Sequence, residues 1–81
     1  MQIEVGEVYK VNYVDLNYSY YGFATCVGVF NDGKSWLFAL NTRRFLRLEE
    51  RSVLEAAPDE EAIAITNERT IEYVQEVLNH A

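Results

Sequence analysis

Few side chains in this sequence could carry covalent or acid–base chemistry. The single cysteine, Cys26, sits inside the apolar run Phe-Ala-Thr-Cys-Val-Gly-Val-Phe over 23–30. A thiol becomes a nucleophile only where a base or a positive field stabilises its thiolate. The single histidine, His80, stands next to the end of the chain and is no such partner. Cys26 is therefore expected to be a small buried hydrophobe. One Cys and one His cannot make a Cys/His zinc site, and a lone cysteine cannot form an internal disulfide. Adjacent carboxylates occur at Glu49/Glu50 and Glu60/Glu61, in segments that read as exposed turns, where they are expected to be solvated. No glycine-rich phosphate loop is present. The expectation is a protein that is not an enzyme and takes no cofactor or metal.

Three groups of residues could instead bind. Tyr18, Tyr20 and Tyr21 lie close together in a chain with six tyrosines. In an extended segment Tyr18 and Tyr20 point to one side and Tyr21 to the other. Tyr18 and Tyr20 are the aromatic candidates, able to stack or to hold a cation; the plainer reading is that such rings pack onto the sheet. Arg43, Arg44, Arg47 and Arg51 fall within nine residues and could contact phosphates. Glu49 and Glu50 interrupt them, and no nucleic-acid-binding signature accompanies them. The plainer reading is a solvated strand face with internal ion pairs. Third come Asp59, Glu60, Glu61, Glu68, Glu72 and Glu76. Residues 1–54 carry six acids and six bases, whereas 55–81 carry seven acids against Arg69, so the whole net charge of −6 lies in the last third. Such asymmetry speaks of partners rather than of fold, although an acidic helix can also serve only solubility.

The elements that must position these groups follow from pattern. Residues 5–13 are rich in Val and Tyr and read as a half-buried strand. Residues 15–22 read as a polar, Tyr-rich connection closed by Gly22. The run 23–30 is the strongest strand, followed by Asn31-Asp32-Gly33, a hairpin signal, and by a returning strand over 35–40, apolar on both faces. After a turn at 41–43, residues 45–48 alternate Phe45/Arg47 against Leu46/Leu48. A turn at 49–51 leads to a fifth strand over 52–56. Over 57–65 two readings stand: Pro58-Asp-Glu-Glu61 reads as a helix start, and 61–66 reads as a short strand; the expectation is a turn at Pro58 followed by that strand.

From 67 the apolar period changes. Thr66 or Asn67 can cap a helix, and Glu68 suits its first turn. Ile71, Val74, Val77 and Leu78 form one stripe, with Glu72, Gln75, Glu76 and Asn79 opposite. Arg69 and Tyr73, four apart, are placed to stack. An 81-residue chain has room for one domain. It divides into a β region (1–56), a turn and short strand (57–66) and a helix (67–79).

Short strands without helices between them predict a mainly β protein, a small and strongly bent antiparallel barrel of about five strands with an amphipathic C-terminal helix. Over roughly residues 4–56 this layout is similar to SH3-like barrels: a long first loop, a tight second hairpin, and a short turn before the last strand. The resemblance implies aromatic residues near the first loop that line a groove for proline-rich peptides or a cage for methylated lysine. Fold type alone does not assign function.

The sequence reading is thus a protein–protein interaction module, an adaptor or an inhibitor acting by occlusion. Its partner would be another protein with a basic surface, met by Tyr18, Tyr20 and the acids of 59–76. The alternatives are a nucleic-acid-binding barrel using the arginines and a self-associating subunit. No leader or membrane-spanning run is evident, so a cytoplasmic protein is expected.

Overall fold

The computed structural model describes residues 1–80. Five antiparallel strands form one sheet, and one helix follows: β1 (Val8–Val14), β2 (Ser19–Val29), β3 (Ser35–Leu40), β4 (Phe45–Glu49), a 3-10 turn (Glu50–Ser52), β5 (Val53–Ala56) and α1 (Glu68–Asn79). The order across the sheet is β4-β3-β2-β1-β5, which leaves β4 and β5 as unpaired edges. The sheet is therefore not closed into a barrel by strand pairing.

It is nevertheless forced to curl. β4 and β5 lie at opposite edges yet are joined by three residues. Four interstrand spacings in a flat sheet would separate them by about 19 Å. The chain from Glu49 to Val53 reaches at most about 14 Å. Strand β2 takes up much of the bend. Its first part pairs with β1 over Ser19–Thr25 and its last part with β3 from Ala24 to Val29, so only Ala24 and Thr25 are paired on both sides. The register with β3 shifts between Cys26 and Gly28, a bulge of the kind that bends a strand.

The two faces of the sheet carry different cores. On the inner face Tyr9, Val11, Ala24, Cys26, Phe38, Leu40, Leu48 and Val53 pack together, with Trp36 and Leu46 at the margin. On the outer face Phe30 and Leu37 meet Val74 of α1, flanked by Val27, Phe45, Ile65, Val77 and Leu78. Leu37 and Phe38 belong to different cores because successive strand residues face opposite sides. The expected helix stripe is the docking face, although Ile71 stays 36% exposed. Gly28 lets α1 come close: a Cβ there would stand 2.4 Å from Leu78 Cδ1.

Two expectations fail. The first loop is not long. Asp15 Oδ1 accepts the N–H groups of Asn17 and Tyr18, each at 2.7 Å, and Tyr13 Oη donates to Asp15 Oδ2 at 2.6 Å. This aspartate-built turn closes the hairpin at the Val14–Ser19 pair, so 19–22 belongs to β2. Residues 61–66 do not form a strand. A turn at 58–60 is followed by extended chain with no ladder. Instead Ile63 N–H donates to Thr25 Oγ1 at 2.9 Å, which holds the segment over the sheet rather than at its edge. No helix among the described residues is long and apolar enough to cross a membrane.

Candidate functional site

The tyrosines divide as strand alternation requires, but not into a loop surface. Tyr18 and Tyr20 are half-buried against the inner core. Tyr20 Oη donates to the Phe23 carbonyl at 2.6 Å and lies 3.1 Å from Asn41 Oδ1; burial raises its pKa above the ordinary tyrosine value. Tyr18 carries the Arg44 guanidinium over its ring at 4.5 Å. The exposed aromatics are on the other face. Tyr21 is 65% exposed and Phe23 39%, with Lys10 Nζ at 4.9 Å from the Tyr21 ring centre and 5.8 Å from that of Phe23. This cation–aromatic group was not singled out from sequence. It would have been visible had β2 been extended back through Tyr21, because Tyr21 and Phe23 then share a side.

The four arginines do not form one surface. Arg47 is engaged: its Nη2 lies 3.0 Å from Asp32 Oδ2, its Nε donates to Ser35 Oγ at 2.9 Å, and its guanidinium covers the Phe30 ring at 4.0 Å. Asp32 in turn accepts Lys34 N–H at 2.8 Å and Ser35 N–H at 3.1 Å. The Lys34 amide is the main reason its carboxyl lies below the ordinary aspartate value, with Ser35 and Arg47 adding to it. Arg51 pairs with Glu49 at 3.0 Å on the exposed 3-10 turn. Arg43 and Arg44 have no carboxylate partner among the described residues. They stand at the β3–β4 turn, where Arg43 has left-handed backbone with φ 67°.

The acids of the last third are all exposed. Asp59, Glu60 and Glu61 follow the Pro58 turn. Glu68, Glu72 and Glu76 recur every four residues and so form one column along α1. None of the six makes an ion pair among the described residues. Like charges four apart on a helix cost roughly 0.2–0.5 kcal/mol per pair, so the column is not there for the helix's own stability. Asn67 caps α1, accepting the N–H of Arg69 at 2.9 Å and of Thr70 at 3.3 Å. Tyr73 does not stack on Arg69. It packs on Phe45, ring centres 5.6 Å apart, because that ring lies under the helix.

Two clefts flank the 61–66 segment, and Ile63 and Ile65 line both. The smaller, about 350 Å³, runs between α1 and the sheet past Val27 and Leu78. Cys26 borders it, but burial pushes its thiol up to about 11, so it is neutral and a poor nucleophile at ordinary pH. The larger, about 500 Å³, opens beside Arg43 and Arg44. Among the described residues no three His, Cys, Asp or Glu side chains come together as a metal site would require. Compared with protein-family models, curated proteins and solved structures, the chain matches none.

Proposed function

We propose that this protein is a non-enzymatic binding module, an adaptor or an inhibitor acting by occlusion, whose acidic helix docks on a basic surface of a partner protein. One observation carries the reading: Glu68, Glu72 and Glu76 form a solvent-facing column with no ion-pair partner among the described residues, on a helix whose opposite side is fixed to the sheet. Asp59, Glu60 and Glu61 extend the same sign of charge beyond the helix. Charge of one sign on a rigid element steers a complementary partner and sets its orientation.

The arginines serve this reading less well than the acids, since Arg47 and Arg51 already have partners. Tyr18 and Tyr20 serve it less well than Tyr21, being half-buried. The curled sheet, with β5 beside β1 and a 3-10 turn before β5, fits an SH3-like layout that lacks the long first loop. We place the protein in the cytoplasm, where a free buried thiol such as Cys26 is ordinary.

The test compares the proteins captured from source cells by the native chain and by the Glu68→Lys, Glu72→Lys, Glu76→Lys variant. A basic protein retained by the first and lost with the second supports the reading. Identical retention by both contradicts it.

A further inference from the structure

The outer face of the sheet is covered over only part of its length. Along the second half of β2 the 61–66 segment and α1 lie on it, with Ile63 N–H bonded to Thr25 Oγ1 and Val27 packed in the helix cluster. Along Ser19–Phe23 it is open. Tyr21 and Phe23 stand exposed there, on the same face as Val14 of β1, itself 73% exposed. On the other side of β1, a bulge in the pairing with β5 sets Leu54 and Glu55, both exposed, opposite Lys10. Exposed apolar side chains gathered on one rigid face mark an interaction surface.

The charges on this face indicate what it meets. Lys10 and Glu55 are register partners and so share the face, yet they make no ion pair with each other. The Lys10 ammonium is turned the other way, over the rings of Tyr21 and Phe23 on β2. A cation on the β2 side and an anion on the β5 side are complementary to a second copy of themselves. A two-fold axis along β1 lays β2 of one copy over β5 of the other. Lys10 then meets Glu55 of the second copy, the exposed rings meet Leu54, and each contact occurs twice.

We propose that two copies of this chain pair face to face through the open face of β1, β2 and β5, with Lys10–Glu55 contacts across a two-fold axis. A partner of one charge sign would leave either Lys10 or Glu55 unmatched. The surface shares no residue with the acidic column and does not depend on it. It spans about 17 Å along the strands and about 15 Å across them, small beside the roughly 800 Å² per partner of a stable complex. The pairing is therefore weak and reversible, with a Kd on the order of 100 μM.

Sedimentation equilibrium of the full chain from about 10 μM to about 1 mM, with backbone amide shifts followed over the same dilution, tests this. The expected result is a monomer–dimer equilibrium with concentration-dependent shifts confined to 10–14, 19–23 and 53–56. Lys10→Glu and Glu55→Lys should each weaken pairing about tenfold, because each brings like charges together twice, and Tyr21→Thr should do the same by removing an exposed ring. An equimolar mixture of the Lys10→Glu and Glu55→Lys chains should regain the native affinity, since both contacts then join opposite charges. A change within either folded chain could not produce that recovery. A monomer throughout, a dimer whose shifts lie on α1 or β4, or a mixture that pairs no more tightly than the separate variants would overturn the proposal.

Discussion

In residues 1–56 charged and aromatic groups are largely used on one another. Arg47 is bonded to Asp32 and Ser35 and covers Phe30, Arg44 covers Tyr18, Lys10 lies over Tyr21, and Asp15 closes the first hairpin. In residues 57–80 the six acids have neither ion pair nor side-chain hydrogen bond among the described residues. Among the described residues, that region is joined to the sheet by apolar contact, by the Ala57 N–H donating to the Val8 carbonyl at 2.9 Å where it leaves β5, and by the Ile63 N–H donating to Thr25 Oγ1. A charge bound by its neighbours shapes the fold, while a charge left in water on a rigid element is available to something else. The contrast also implies unequal stability: the sheet should persist when the helix is loosened, but not the reverse.

The strongest way to break the contrast is at the inner core. Phe38 is fully buried there, and Phe38→Ala should cost about 3–5 kcal/mol, enough to unfold sheet and helix together in a domain this small. Denaturant unfolding followed by tryptophan fluorescence and by helical circular dichroism should show both transitions moving as one.

Gly28→Val attacks only the docking of α1. Its Cβ would meet Leu78, and overpacking of this kind costs about 1–3 kcal/mol. Hydrogen exchange should speed up along 68–79 and change little in β1, β2 and β3. Adding Leu78→Ala should restore part of the loss, a coupling absent from variants whose side chains do not touch.

Thr25→Val keeps the volume and removes the acceptor for Ile63 N–H. About 1 kcal/mol should be lost, with faster amide exchange confined to 61–66. If exchange instead rose throughout the sheet, the segment would be part of the core rather than a strap across it.

Acid should separate the regions too. Asp15 and Asp32 both lie below the ordinary aspartate value of 3.8: Asp15 mainly through the Tyr13 hydroxyl, Asp32 mainly through the Lys34 amide. A depressed carboxyl contributes stability that is complete above its unfolded-state value and is lost as pH falls through the lower folded one. Asp15→Asn with Asp32→Asn should therefore be less stable than the native chain at neutral pH. The gap should close as pH falls below 3.8. The helix acids have no such partners, and Glu68→Gln, Glu72→Gln, Glu76→Gln should leave that acid limb in place.

Much of this division was legible in the sequence. The hairpin at Asn31-Asp32-Gly33 reads correctly because Gly33 adopts the φ of 68° that such a turn needs. The helix reads correctly because its cap, its apolar stripe and its charged column agree. The beginning of β2 was hidden because Tyr18, Tyr20 and Tyr21 resemble a loop until Asp15 is seen to build the turn itself. Residues 61–66 alternate like a strand, yet they are held over the sheet face by Thr25 and Ile65 rather than beside an edge strand. The cleft at Arg43 and Arg44 could not be read at all, since it joins residues some twenty positions apart through that displaced segment.

A paired charge reversal tests most directly whether the acidic column is a presented surface. One variant carries Glu68→Lys, Glu72→Lys and Glu76→Lys; its control carries Glu4→Lys, Glu7→Lys and Glu55→Lys, three exposed acids of the sheet region. Both make the same change in net charge, and both should remain folded, since each surface substitution costs at most about 1 kcal/mol, the largest being Glu68→Lys in the first turn of α1. Calorimetry against the basic protein captured by the native chain should then show binding abolished by the helix variant and nearly unchanged in the control. Equal weakening by the two would mean that only overall charge matters, and would contradict the assignment of the surface to α1.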